Sequence, residues 1–454
     1  MNTETVLHFE RLLLPGGWQR DVRLVLEDGL IVSITPDAAP RPGDKRHAIG
    51  LPGMPNLHSH AFQRGMAGAA EYRGEGEDSF WTWREAMYRF VDRLDPEAML
   101  AIAALAYMEM LEAGFTRVGE FHYLHHDPSG HSYEEPARMA AALAEAAAET
   151  GIALTLLPVF YAQAGFGGLP ASPRQRRFVT DPESYARLLD ASRHALAGLH
   201  DARLGIAPHS LRAVTPAALA EVTALGHDGP VHIHIAEQQR EVDDCLAWSG
   251  ARPVQWLLDN AEVGPDWCLV HATHVNEAEW RGMIGSGAIA GLCPMTEANL
   301  GDGIFPAAAA LAGGLGFGIG SDSNIRIDMT EELRLLEYGQ RLSHHGRNCL
   351  TEPGGGSTGR FLYHGGVAGG SQALAAPAPL APGSPADLVS LRADAPSLIG
   401  RSDDALLDAF VFSAGQGAIE SVWRRGCRIV RDGRHVRRGA IVDHFALTLK
   451  RLTQ

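Results

Sequence analysis

The sequence is poor in the features that mark secreted, membrane-spanning or nucleic-acid-binding chains. Its 454 residues include only five cysteines, Cys245, Cys268, Cys293, Cys349 and Cys427, an odd number at wide spacing. None forms CxxC, so neither a disulfide framework nor a zinc knuckle is indicated. Positive charge is in deficit: 39 Lys and Arg against 54 Asp and Glu leave a formal charge of −15. That balance argues against a nucleic-acid or acidic-membrane partner. It also leaves any anionic ligand to be captured by local arginines against the overall field. No uninterrupted apolar run reaches membrane-spanning length, and MNTETVLHFERLLLPGG has no basic segment followed by an apolar one. We therefore expect a cytoplasmic protein. What is present is ordinary: 45% hydrophobic, 20% charged and 7% aromatic residues, in a length that suits one large domain plus a small one.

The two chain ends read as short strands. Val22–Leu26 alternates, Glu27-Asp28-Gly29 turns and Leu30–Ile34 returns; Ala386–Leu391, Ser421–Trp423 and Cys427–Val430 behave similarly. Residues 1–52 and 376–454 are thus expected to build one small β-sandwich domain, entered through the Pro- and Ala-rich stretch 375–385. Residues 53–375 hold a long alternation. Apolar runs occur at Pro52–His60, Thr116–Tyr123, Ala153–Phe160, Arg203–Ser210, Val231–Glu237, Trp267–His274, Ala288–Pro294 and Gly316–Asp322. Most gaps carry helical patterns, such as Glu97–Ala113, Tyr133–Glu149, Pro182–Leu199, Pro216–Leu225 and Glu277–Ile284. Eight runs alternating with helices predict an α/β fold, a (β/α)8 TIM-like barrel. A doubly wound open sheet is the other topology with this element order.

In such a barrel the site is built where strands end. The first run ends His58-Ser59-His60, and residues two apart on a strand share a face, so both imidazoles can converge on one point. Later runs end in Glu120-Phe121-His122-Tyr123, Pro208-His209-Ser210, His232-Ile233-His234-Ile235-Ala236-Glu237, His271-Ala272-Thr273-His274 and Ser321-Asp322. Each histidine alone reads as a core or surface residue; six strand ends carrying His, Asp or Glu together read as a site. His58, His60, one histidine of the fifth run and Asp322 make a three-nitrogen, one-oxygen set suited to Zn²⁺, one per chain, with Fe²⁺ the weaker choice. Spacing does not separate His232 from His234; His234 is favoured because it is nearer the strand end and three residues before Glu237. Glu237, beside the metal without being a ligand, is placed as a general acid/base, or else caps the following helix. His271 would orient or polarise the nucleophilic water.

These residues carry a family resemblance. The HxH of the first run, His234-Ile235-Ala236-Glu237, His271 and Asp322 together resemble the one-metal deaminase branch of the amidohydrolase superfamily. The fourth run carries His209 and no lysine, so a second metal bridged by a carboxylated lysine is not indicated. A closer resemblance, to deiminases of an N-formimidoyl dicarboxylate within that branch, rests on 55–64 (PNLHSHAFQR), Phe80-Trp81-Thr82-Trp83-Arg84, 119–126 (GEFHYLHH), 207–214 (APHSLRAV) and 296–303 (TEANLGDG). It implies hydrolytic release of ammonia, with Glu237, His271 and Asp322 catalytic. It also implies that Gln63, Arg84, Tyr123, His209 and Arg212 bind substrate. Bidentate guanidinium fits each carboxylate of such a substrate. Trp81 and Trp83 read as core or lid packing, and Cys293 and Met295 as wall residues. The expected partner is this small-molecule dicarboxylate, and the expected assembly a homodimer. Two other readings are a deaminase of an aromatic base or nucleoside, which needs an aromatic-lined pocket, and a non-catalytic binding member, which would have lost metal ligands.

Overall fold

The computed structural model of the chain describes residues 5–73, 79–225 and 229–454; residues 1–4 at the start of the expected N-terminal β-region lie outside them. The apolar runs of the chain's middle become strands Met54–Ser59, Phe115–His122, Ala153–Phe160, Arg203–Leu204 with Ala207–Pro208, Val231–Ile235, Trp267–His271, Ile289–Leu292 and Phe317–Ile319. All pair in parallel with their neighbours in chain order. Isolated bridges complete the circle: Ile206–Val231 and Ser210–His234 join the fourth strand to the fifth, and Ser59–Asp322 joins the eighth to the first. The sheet is therefore a closed barrel, not an open doubly wound one.

Nearly every residue of these strands is buried, which is why they read as continuous apolar runs: helices cover one face and barrel side chains fill the other. The helices begin where the sequence says they should. Asp95, Asp181 and Thr215 each accept a hydrogen bond from the backbone N–H three residues on, and each is followed by proline at the first helical position. The fourth strand is broken in two. Gly205 lies where a Cβ would stand 2.3 Å from the Pro230 carbonyl oxygen, and Pro208 has no N–H to donate.

The chain ends meet in one eight-stranded sheet. Lys45–Pro52 pairs in parallel with Thr5–Leu14 and antiparallel with Leu388–Leu391, so the N- and C-terminal strands share a single hydrogen-bonded array. One face is packed by Leu7, Phe9, Leu12, Val22, Leu24, Leu388 and Trp423. A helix the sequence pattern did not announce, Arg438–Thr453, closes the chain; its Arg438 and Arg451 pair with Glu112 and Asp95 at the two ends of the helix Pro96–Glu112. No helix among the described residues is long and apolar enough to cross a membrane.

Candidate metal centre and active site

Four side chains from three strand ends meet at the C-terminal mouth of the barrel. Donor atoms of His58, His60, His234 and Asp322 all lie within 4.8 Å of one another. His58 Nε2 is 3.3 Å from His60 Nε2 and 3.0 Å from His234 Nε2; Asp322 Oδ1 is 3.4 Å from His58 Nε2 and 3.2 Å from His60 Nε2. His232, left open by spacing, points elsewhere: its Nε2 is 2.7 Å from the Ala373 carbonyl oxygen.

The backbone is built to hold this cluster. Asp322 N–H donates to His58 O and His60 N–H to Asp322 O, both at 2.9 Å, so the first and eighth strands are laced at the metal ligands themselves. Gly320 permits the approach, since a Cβ there would stand 2.8 Å from His58 O. A buried polar latch adds rigidity. Asn56 Nδ2 donates to Ser321 Oγ at 2.6 Å, Ser321 Oγ to Asn324 Oδ1 at 2.6 Å, and Asn324 Nδ2 to His60 O at 3.1 Å. Ala236, His271, Ala272, Asp322 and Asn324 all have φ between 43° and 68°. Left-handed backbone at non-glycine residues costs free energy, and its clustering here marks strain held at a functional site.

The donor set suits a divalent cation. His60 Nδ1 and His234 Nδ1 are committed to the carbonyl oxygens of Phe121 and His209, at 2.8 and 3.1 Å, so their Nε2 lone pairs face inward. Burial pushes His58 down to about 3 and lowers His60 and His234, which keeps all three rings neutral. Neutral imidazoles aiming lone pairs at one point, beside a carboxylate, repel unless a cation sits between them. Asp322 is lowered despite its burial, chiefly by the adjacent His58.

Glu237 follows the fifth strand and is not the helix cap, since the helix Gln239–Ser249 starts from Gln238. Its Oε1 stands 3.8 Å from His271 Nε2 and its Oε2 3.6 Å from Arg212 Nη2. Burial raises its pKa, against the pull of His271 and Arg212. His271 Nε2 is also 3.8 Å from Asp322 Oδ2, and its Nδ1 is 3.3 Å from Glu297 Oε1. Burial would discharge this ring, but Glu237, Glu297 and Asp322 outweigh it and hold the pKa up to about 10.

A cavity of about 770 Å³ opens onto the cluster. Gln63, Arg84, Tyr123, His209 and Arg212 all line it, with His60, His234, Glu237, His271 and Asp322. Gln63 Nε2 donates to the Tyr123 hydroxyl at 3.0 Å, which leaves the Gln63 carbonyl oxygen without a partner. Arg84 lies against aromatic faces, its Cζ 4.8 Å from the Trp81 ring centre and 5.6 Å from that of Tyr88, and makes no ion pair with a described residue. Arg212 is buried beside Glu237 and Glu241, whose charges keep it protonated despite that burial. Trp81 and Trp83 line the cavity too, so Trp81 packs on cations instead of in the core. Cys293 and Met295 are buried and are not among the residues that line it, a correction to their expected place in the wall. Sequence reasoning gave no role to Asn56, Asn324, Glu241 or Glu297; an asparagine inside the apolar run 51–57 was the one visible signal.

Residues 49–429 match the model of the amidohydrolase family. The chain belongs to the amidohydrolase family. Residues 4–48 match a second model, the N-terminal domain of formimidoylglutamate deiminase HutF. The chain is 54% identical over 429 residues, 94% of each chain, to the formimidoylglutamate deiminase of Pseudomonas aeruginosa. It is 30% identical to the 8-oxoguanine deaminase of the same organism, over 88% of this chain and 89% of that one. The crystal structure of an amidohydrolase from Brucella melitensis superposes with a TM-score of 0.96 at 51% identity, covering 99% of this chain and 100% of that one. The barrel and the strand-built second sheet are thus those of a family of hydrolases.

Proposed function

We propose that the chain is a zinc-dependent formimidoylglutamate deiminase, converting N-formimidoyl-L-glutamate to N-formyl-L-glutamate and ammonia. The observation that carries this is a single cavity that joins the His58–His60–His234–Asp322 cluster and Glu237 to two guanidiniums, Arg84 and Arg212. The relative of 54% identity carries the same activity in its name. A Zn²⁺ held by His58, His60, His234 and Asp322 would supply Lewis acidity that makes water nucleophilic at neutral pH. Glu237 takes a proton from the attacking water and delivers it to the departing nitrogen, a task its raised pKa suits. His271, 3.8 Å from both Glu237 and Asp322, steadies charge on the tetrahedral centre. Arg84 and Arg212 each hold one carboxylate, while Gln63, Tyr123 and His209 orient the amidine end.

The same cavity contains Trp81, Tyr88, Tyr161 and Phe178, the aromatic lining that deamination of a purine-like base would ask for. Arg84 weighs against it, because an uncharged base leaves that guanidinium without an anion, whereas Arg212 already faces Glu237 and Glu241. The deciding experiment is ammonia release from formimidoylglutamate, measured against a panel of other formimino acids, guanidino acids and purine bases. Preference for a base would overturn the substrate assignment.

Two further outcomes are expected. Elemental analysis of the purified protein should find close to one metal per chain, because among the described residues one four-donor set, His58, His60, His234 and Asp322, is present and no lysine stands on the fourth strand to bridge a second ion. Two tightly held metals would rule out the one-metal arrangement. His271→Asn should keep the metal and lose kcat more than it raises KM, since a group acting on developing charge acts mainly in the transition state. An effect confined to KM would contradict this role.

A further inference from the structure

On the side of His271 away from Glu237 lies a second buried acid. Glu297 is 4% exposed and sits in the first turn of the helix Pro294–Leu300, just after the seventh strand. That strand pairs with the one ending in His271, with Gly291 opposite Val270. Glu297 Oε1 is 3.3 Å from His271 Nδ1 and accepts the Cys293 backbone N–H at 2.9 Å. The carboxylate is therefore anchored by main chain before it meets the imidazole. Donor atoms of His271, Cys293 and Glu297 lie within 4.8 Å of one another, but Glu297 Oε1 is already engaged by His271 Nδ1 and by the Cys293 backbone N–H. Burial, with the carboxylates of Asp322, Glu297 and Glu332, pushes the Cys293 thiol well above its ordinary value.

The ring of His271 has two orientations related by a half turn about its Cβ–Cγ bond. Only one places Nδ1 on Glu297 and Nε2 toward Glu237 and Asp322. The half-turned ring would leave Glu297 facing carbon, a buried carboxylate without its partner. We propose that Glu297 is a positioning residue for the reaction: by accepting from His271 Nδ1–H it fixes the ring's rotation, so that Nε2 faces the reacting centre. A carboxylate behind a functional imidazole is a recurrent device for setting which nitrogen works. This inference rests on the deiminase reading of the site.

The test uses the full-length, metal-loaded protein and two variants, Glu297→Gln and Glu297→Asp, alone and combined with His271→Asn. Glu297→Gln keeps an acceptor oxygen but loses the charge; Glu297→Asp keeps the charge but withdraws it, and serves if the first variant does not fold. Either should lose about 10- to 100-fold in kcat, the usual cost of removing a group that orients an active-site imidazole, with KM, metal content and melting temperature near those of the parent. In the His271→Asn background the same change should cost less than about twofold, because a residue acting through His271 has nothing left to position. The proposal is overturned by parent-like kcat, by a rise in KM that matches the loss in kcat/KM, by loss of metal, or by an undiminished effect when His271 is absent. Whichever compound of the substrate panel the parent turns over serves for these rates. A wrong substrate then shows in the parent, and a wrong role for Glu297 shows only in the variants.

Discussion

Glu237→Gln is expected to retain its metal and lose roughly 10²- to 10⁴-fold in turnover, the range typical of a lost general acid/base. The side chain touches the machinery without belonging to the ligand set. Its oxygens face His271 Nε2 at 3.8 Å and Arg212 Nη2 at 3.6 Å, and it is absent from the four converging donors. Glutamine has the same shape, so the cluster should hold its metal, and the fold should hold too. What disappears is the group that carries a proton between the water and the leaving nitrogen. Burial raises the Glu237 pKa above the ordinary carboxylate value, which favours return of the proton it takes. Elemental analysis beside steady-state ammonia release makes the measurement. Loss of metal together with activity would make Glu237 a ligand and sink the assignment.

The barrel was legible in the sequence because each buried parallel strand is a continuous apolar run, and because the chemistry sits where those runs stop. His58 and His60 share a face by the two-residue period alone, and the structure brings them together with His234 and Asp322. His232 and His234 share a face just as well, so only the closed barrel separates the histidine at the mouth from the one that bonds Ala373 O. The supporting shell stayed hidden for a different reason. Glu297 reaches His271 across 26 residues and Asn56 reaches Ser321 across 265, distances over which no local period operates. The helix Arg438–Thr453 was missed because it buries only Ile441, Thr448 and Leu452, a stripe too narrow to announce itself.

Of the three arginines that line the cavity, Arg84, Arg212 and Arg240, removing Arg84 or Arg212 should cost on the order of 2–5 kcal/mol in kcat/KM for formimidoylglutamate, the penalty for leaving an occluded charge without its partner. The overall charge of −15 gives an anion no general attraction, so selection must come from these few cations. The two variants should differ in kind. Arg84 has no acidic partner among the described residues and rests on Trp81 and Tyr88, so Arg84→Met should remove carboxylate binding and little else. Arg212 stands 3.6 Å from Glu237 and 3.8 Å from Glu241, which also accepts the Glu237 backbone N–H. Arg212→Met therefore strips a cation from the catalytic carboxylate as well, and should lower kcat alongside binding. Lysine should rescue poorly at either position, because it cannot make the two-pronged contact. A substrate analogue lacking one carboxylate should be poor for the parent, yet much less affected by loss of the arginine that served the missing group. If both methionine variants keep kcat/KM within a few-fold of the parent, the dicarboxylate assignment is wrong. The metal cluster and Glu237 would then still describe a hydrolase, one whose substrate is chosen by the aromatic walls and not by charge.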